Sequence, residues 1–118
     1  MKTITLQTKN ANAAQKLASE IISNTRDEMY RTWSYEVITL VEDSKKYPAI
    51  FHNPPQFIEN LEKHIWFIPA TIDSKVIFRP VISEGYELTE EQVALQTGRL
   101  LEILMTYHYE DFTELTVK

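Results

Sequence analysis

Residues 65–82, IWFIPATIDSKVIFRPVI, carry the strongest structural signal in the chain. Two apolar runs of strand length flank the turn-forming pair Asp73-Ser74, which predicts a β-hairpin. With a two-residue loop, Pro69 lies opposite Phe78, and Pro69 and Pro80 occupy positions whose missing N–H groups point away from the partner strand. Because a proline interrupts each outer edge, we expect this hairpin to twist out of the main sheet or to close one side of it.

Outward from the hairpin, polar–apolar alternation predicts further strands, and apolar residues at helical spacing predict two long helices. The strands are Thr3–Thr8, Trp33–Glu42, Tyr47–His52 and Phe112–Val117, and the helices are Ala11–Met29 and Glu90–Tyr109. The pair Pro54-Pro55 can begin a short helix carrying Phe57, Ile58 and Leu61. Ile38 and Leu40 add apolar residues to the polar side of Trp33–Glu42, so we expect that strand to be internal.

This order of elements predicts a single α+β domain over residues 1–118. We expect a mostly antiparallel sheet of five to six strands, with the two long helices packed on one face. No stretch has the apolar length of a membrane span, and the first residues lack the apolar core of a signal peptide. We therefore expect a cytoplasmic protein.

The C-terminal helix opens with a capping box, Thr89 followed three residues later by Gln92. Its broad apolar face is predicted to be buried and consists of Val93, Ala94, Leu100, Leu101, Leu104 and Met105. Leu95 and Ile103 fall on the other, solvent-facing side and bracket Arg99. Two apolar residues aligned along an exposed helix face indicate a contact patch, although isolated exposed apolar residues are also ordinary.

Negative charge is concentrated at the carboxyl end of the chain. Residues 1–83 carry ten Lys/Arg against nine Asp/Glu, whereas residues 84–118 carry two against eight, a net charge of −6. Nucleic acids and anionic membranes attract basic surfaces, so neither is expected as a partner. A basic protein suits this end of the molecule; the alternative is that these acids only keep the domain soluble.

The composition excludes several kinds of reaction centre. The only two glycines, Gly85 and Gly98, lie thirteen residues apart, which rules out the glycine-rich loops that bind phosphates and dinucleotides. The chain has no cysteine, so thiol nucleophiles and cysteine zinc sites are also excluded. We expect no cofactor, no metal and no catalytic residue, and a non-catalytic role is favoured over an enzymatic one.

The three histidines, His52, His64 and His108, have no metal-binding spacing along a helix. His108 lies near the centre of the predicted apolar face. It is interpreted either as a buried base oriented by Glu110 or Asp111 or, preferably, as a hydrogen-bonded histidine of the core or of a helix end.

Together these features indicate a non-catalytic protein-binding module, such as an inhibitor or immunity-type protein presenting an acidic surface to a basic partner. The predicted partner-binding residues are Glu91, Leu95, Arg99, Glu102 and Ile103. One alternative is a small-ligand-binding protein or hydrolase with a pocket around His108, where Tyr35 or Tyr107 would form a polar wall. Another is a homo-oligomeric structural domain in which Leu95 and Ile103 meet a second copy.

Overall fold

Six antiparallel strands and two helices make up the part of the chain that the computed structural model describes, residues 1–54, 64–83 and 85–118. In chain order they are β1 (Ile4–Gln7), α1 (Ala11–Arg26), β2 (Trp33–Thr39), β3 (Lys46–His52), β4 (Trp66–Ile72), β5 (Lys75–Val81), α2 (Glu90–Tyr107) and β6 (Glu114–Val117). The sheet order is β2-β3-β4-β5-β1-β6. The predicted α+β fold is confirmed.

One hydrophobic core joins both helices to the same face of the sheet. Leu17 and Ile21 of α1 and Leu100 and Leu104 of α2 are buried in one cluster with Phe67 of β4. Side chains alternate between the two faces of a strand, so the neighbours of such core residues face away from the helices. There, a smaller cluster consists of Leu40, Ala49 and Ile68.

The hairpin has the predicted register, but its predicted position in the sheet is wrong. Pro69 pairs with Phe78 across the Asp73-Ser74 turn, and Asp73 takes a φ of 53°, a region that aspartate tolerates better than most residues. The hairpin forms the centre of the sheet, between β3 and β1. Its prolines are accommodated by short ladders, since pairing with β1 runs only from Lys75 to Phe78 and stops before Pro80.

The prediction that Trp33–Glu42 is an internal strand is also wrong. The strand β2 ends at Thr39 and lies at one edge of the sheet, paired with β3 alone. Ile38 packs against the small cluster of Leu40, Ala49 and Ile68, on the face of the sheet opposite the two described helices.

 The two-sided apolar pattern of residues 33–42 therefore comes from contact with this small cluster, in which Ala49 and Ile68 are buried. It does not indicate a central place in the sheet.

Helix α1 begins where predicted and ends earlier than predicted. The Asn10 side chain caps it by accepting a hydrogen bond from the Ala13 N–H at 2.7 Å. The helix ends at Arg26 rather than Met29, and Glu28 and Arg31 then adopt positive φ values of 58° and 61°. Left-handed residues cannot continue a right-handed helix, so the chain turns here into β2.

Helix α2 has the predicted capping box, since the Thr89 side chain accepts from the Gln92 N–H and the Gln92 side chain accepts from the Thr89 N–H. It ends at Tyr107 instead of Tyr109. Its buried residues are Gln96, Leu100, Ile103 and Leu104. Relative to the predicted face, the helix is rotated by roughly a quarter turn, at 100° per residue.

A buried hydrogen bond accompanies this rotation. The Gln96 Oε1 accepts from the Ile65 N–H at 2.7 Å, which satisfies the backbone just before β4. The predicted exposure of Ile103 is therefore wrong, because only 6% of this residue is exposed. Met105, which we expected to be buried, is 53% exposed.

The last strand, β6, begins at Glu114 rather than Phe112 and pairs with β1. The predicted short helix carrying Phe57, Ile58 and Leu61 lies outside the described residues, and so does Glu84.

Candidate functional site

The solvent-facing side of α2 carries a regular row of residues, which we call the outer stripe. It consists of Glu91, Leu95, Gly98, Glu102 and Met105, spaced alternately four and three residues apart, so the row stays on one side of the helix. All five are exposed, and the row lies opposite the buried face of α2. The outer stripe thus presents two large apolar side chains, a glycine and two carboxylates to solvent.

Gly98 occupies the middle of this surface. A Cβ placed on it would have no neighbouring atom within 4 Å, so packing within the described chain does not require a glycine. In a helix interior, glycine is less stable than alanine by roughly 0.5–1 kcal/mol. Gly98 therefore leaves an open notch between the side chains of Leu95 and Glu102.

The acidic residues of the carboxyl end are spread along α2. Glu90 and Glu91 lie in its first turn, whereas Glu110 and Asp111 follow its last turn. An 18-residue helix is about 27 Å long, so these acids form a band and not a single spot. The carboxylate of Glu102, in the middle, pairs with Arg99 at 3.0 Å.

Among the described residues, the arginines outside α2 make their contacts away from the acids of this band. Arg79 pairs with Glu42 at 3.3 Å, and the guanidinium of Arg26 lies 5.4 Å from the centre of the Tyr35 ring. The Arg99–Glu102 pair is half exposed on both sides, and ion pairs of this kind contribute little to stability. Arg99 thus lies beside the carboxylate of Glu102, and Lys9 and Lys16 line the same cleft as Glu110 and Asp111.

The structure brings four of the five predicted partner-binding residues to the solvent-facing side of α2: Glu91, Leu95, Arg99 and Glu102. Ile103 instead faces the core. The sequence reasoning missed Gly98 and Met105. The signal that could have identified them is their three- and four-residue spacing from Leu95 and Glu102.

At the other end of α2, His108 is buried in a chain of hydrogen bonds. Its Nε2 lies 2.5 Å from the Tyr30 hydroxyl, and its Nδ1 lies 3.0 Å from the Asp111 Oδ2. The Asn24 Nδ2 donates to the same Tyr30 oxygen at 3.2 Å. Only 2% of His108 is exposed. It is thus a buried, hydrogen-bonded histidine at a helix end, and of the two predicted acidic neighbours it is Asp111 that contacts its ring.

The protonation of Tyr30 sets the direction of this chain. Burial raises the pKa of Tyr30 to about 12, so its hydroxyl is protonated at neutral pH. Because the Asn24 Nδ2 donates to the same oxygen, we assign the His108 tautomer whose Nε2 accepts from the Tyr30 O–H. The Nδ1–H of that tautomer then donates to Asp111.

A cleft of about 260 Å³ lies beside the hydrogen bonds of His108 and Asp111. Glu20, Glu110 and Asp111 line it, together with Lys9 and Lys16. Among the residues that the structure describes, His108 with Glu20 and Asp111 is the one group of three or more acidic or imidazole side chains close enough to hold a metal ion. The three histidines do not form such a group together.

His52 lies on β3 beneath Trp33, with the two ring centres 5.6 Å apart. Burial, followed by the charges of Arg99 and His64, lowers the pKa of His52 below its ordinary value. The folded protein therefore resists protonation of this ring more than the unfolded chain does.

This shift predicts a loss of stability in mild acid. As the pH falls through about 6.5, the unfolded chain binds a proton at this position before the folded protein does. The free energy of unfolding should decrease from pH 7 to pH 5, by at most about 1.4 kcal/mol per pH unit for this one residue. Urea unfolding of wild type and His52→Asn at each pH measures it. The variant should lose less stability on acidification, and equal losses would contradict the prediction.

The indole ring of Trp33 is part of the hydrophobic core. Trp33 is buried and packs against Phe67, so it does not offer a stacking platform for nucleic-acid bases. Neither of the described helices is long and apolar enough to cross a membrane. No family model, curated protein or solved structure matches this chain.

Proposed function

We propose that the protein is a non-catalytic protein-binding module that uses the outer stripe of α2 to contact a basic partner, in the manner of an inhibitor or immunity-type protein. The observation that carries this proposal is the exposure of Leu95 and Met105 in one row with Gly98, directly opposite the buried face of the helix.

The shape of the outer stripe suits a partner helix or loop. Large side chains normally keep packed helices 8–10 Å apart, whereas a glycine lets a second backbone approach more closely. Leu95 and Met105, 43% and 53% exposed, would supply apolar contact on either side of that approach. A contact of this kind would compensate for the helix stability that Gly98 costs the free protein.

The charge of the surface selects the partner. Glu91 and Glu102 belong to the stripe, and Glu90 adds a third carboxylate at the same end of α2 as Glu91. Complementary charge mainly accelerates association and suppresses wrong partners. A protein with a basic docking surface is therefore the expected occupant. A second copy of this chain would bring like charges together.

The first test reverses the charge of the stripe. The wild-type protein is immobilised without a tag, and the proteins that it retains from a lysate of its native host are purified. The association rate with each of these purified proteins is then measured at several salt concentrations. We expect Glu91→Lys combined with Glu102→Lys to slow association by about tenfold at low salt and to flatten the salt dependence. The dissociation rate should change less.

A matched control separates the site from net charge. Glu28→Lys combined with Glu114→Lys changes the net charge equally at exposed positions outside α2, and it should leave most of the association rate intact. Equal effects of the two double variants would overturn the proposal. So would a wild type that is dimeric by light scattering and becomes monomeric in Leu95→Glu, since the stripe would then be a contact between copies.

A further inference from the structure

Three metal-ligating side chains converge beyond the C-terminal end of α2. Glu20 comes from the middle of α1, His108 caps α2, and Asp111 lies in the turn before β6. One potential ligand atom from each lies within 4.8 Å of the other two, and the Nδ1 of His108 is already 3.0 Å from the Asp111 carboxylate. Segments distant in sequence thus bring one imidazole and two carboxylates together.

The spacing of the three ligand atoms is within reach of that in a tetrahedral site. Zinc–ligand bonds of 2.0–2.1 Å place tetrahedral ligand atoms about 3.3 Å apart. The Glu20 and Asp111 side chains are exposed, so they can rotate inward by the remaining distance, up to about 1.5 Å from the present spacing of at most 4.8 Å. Three protein ligands leave the fourth position open toward the cleft that Glu20 and Asp111 line.

The surroundings of His108 hold its ring in place. Tyr30 contacts the Nε2 on the side away from Asp111, and a metal-ligating histidine commonly has such a partner on its second nitrogen. The two carboxylates offset the charge of a divalent ion. The cleft as a whole carries three acids against two lysines, so its formal charge, −1, also favours a cation.

We propose that Glu20, His108 and Asp111 form a binding site for a divalent transition-metal ion, with Zn²⁺ as the expected occupant. The ion takes the place of the proton that His108 donates to Asp111. A bond forms between Nδ1 and the metal, the Nδ1 proton is released to solvent, and Nε2 takes up one proton from solvent. The ring thus stays neutral and its Nε2–H donates to the Tyr30 oxygen, whose own O–H rotates away. The imidazole ligand favours Zn²⁺ over Mg²⁺, which prefers oxygen ligands. This inference does not rest on the protein-binding proposal.

The test is a titration of the tag-free, chelator-treated protein with ZnCl₂, followed by calorimetry and by thermal unfolding. We expect one Zn²⁺ per chain and a higher melting temperature, with no response to MgCl₂. Co²⁺ should give the visible absorption of a tetrahedral ion. Glu20→Gln and Asp111→Asn should each raise the Kd for Zn²⁺ at least about tenfold, since even the loss of a residue that only positions a metal ligand costs about ten- to hundredfold.

Glu110→Gln is the matched control. Glu110 lines the same cleft but lies outside the three-residue group, so its loss should change the Kd less than about threefold. These exposed positions keep the test informative even if variants of the buried His108 fail to fold. A wild type that binds no stoichiometric Zn²⁺ would overturn the proposal. Glu20→Gln or Asp111→Asn binding like wild type would overturn it equally.

Discussion

Replacing His108 by leucine is expected to lower the free energy of unfolding by about 2–3 kcal/mol. The substitution removes the acceptor of the Tyr30 hydroxyl, which is buried, and a buried donor left without a partner costs about 1–3 kcal/mol. The Asn24 side chain can still donate to Tyr30, but it does not replace the lost acceptor. Urea unfolding in the presence of a chelator measures the change without any contribution from bound metal.

A double-mutant cycle with Tyr30→Phe separates this hydrogen bond from packing. When both polar partners are replaced by apolar groups, neither the Tyr30 hydroxyl nor the His108 ring is left buried without the other, and only the half-buried Asn24 Nδ2 loses an acceptor. We therefore expect the double variant to be more stable than the sum of the two single losses predicts, by about 1–2 kcal/mol. Additive losses would mean that the contact between Tyr30 and His108 contributes no coupling energy.

Replacing Gly98 by leucine is expected to weaken partner binding by about a hundredfold while the protein stays folded. The leucine would fill the notch of the outer stripe, and truncation or blocking of a central contact commonly costs 2 kcal/mol or more. In the free protein the new side chain enters open space. Gly98→Ala should even raise the free energy of unfolding by about 0.5–1 kcal/mol. The dissociation rate from the purified partner and urea unfolding provide the two measurements.

Ser19→Leu is the matched control, because Ser19 is an exposed position on α1. This variant adds a similar apolar side chain outside the outer stripe and should bind the partner as wild type does. If Gly98→Leu bound as tightly as wild type, Gly98 would not be at the contact. If it bound weakly because it had unfolded, circular dichroism would reveal that directly.

Local signals in the sequence were sufficient to predict most helices and strands and the register of the β4–β5 hairpin. The Asp73-Ser74 turn, with Pro69 opposite Phe78, was predicted correctly because turn length and the missing proline N–H groups act within a few residues. The capping box of Thr89 and Gln92 was correct for the same reason. The exposure of Leu95 also agreed with prediction.

The rotation of α2 could not be predicted in this way. The helix face that contains Gln96 is less apolar than the face that contains Met105. The periodicity of apolar residues therefore predicts that Met105 is buried and Gln96 exposed, the reverse of what is found. What outweighs periodicity is the hydrogen bond from the Ile65 N–H to Gln96, a contact between residues 31 positions apart. This one contact accompanies the burial of Ile103 and leaves Met105 on the outer stripe.

The candidate metal group was equally hidden. Glu20 and His108 are 88 residues apart, and Tyr30 and His108 are 78 apart, so no spacing along the chain could indicate their proximity. The prediction of a hydrogen-bonded histidine at the helix end was possible because Asp111 follows only three residues later. The identity of its second partner, Tyr30, depended on how α1 and α2 lie together on the sheet.

The amino-acid sequence was thus enough to specify the α+β class, the helix caps, the hairpin register and the acidic character of the carboxyl end. These properties arise from backbone preferences, side-chain alternation and charge, which act over a few residues. The strand order, the edge position of β2, the rotation of α2 and the meeting of Glu20 with His108 emerged only in the folded chain. They depend on burying one shared apolar core and satisfying its polar groups, and that balance involves all the elements at once.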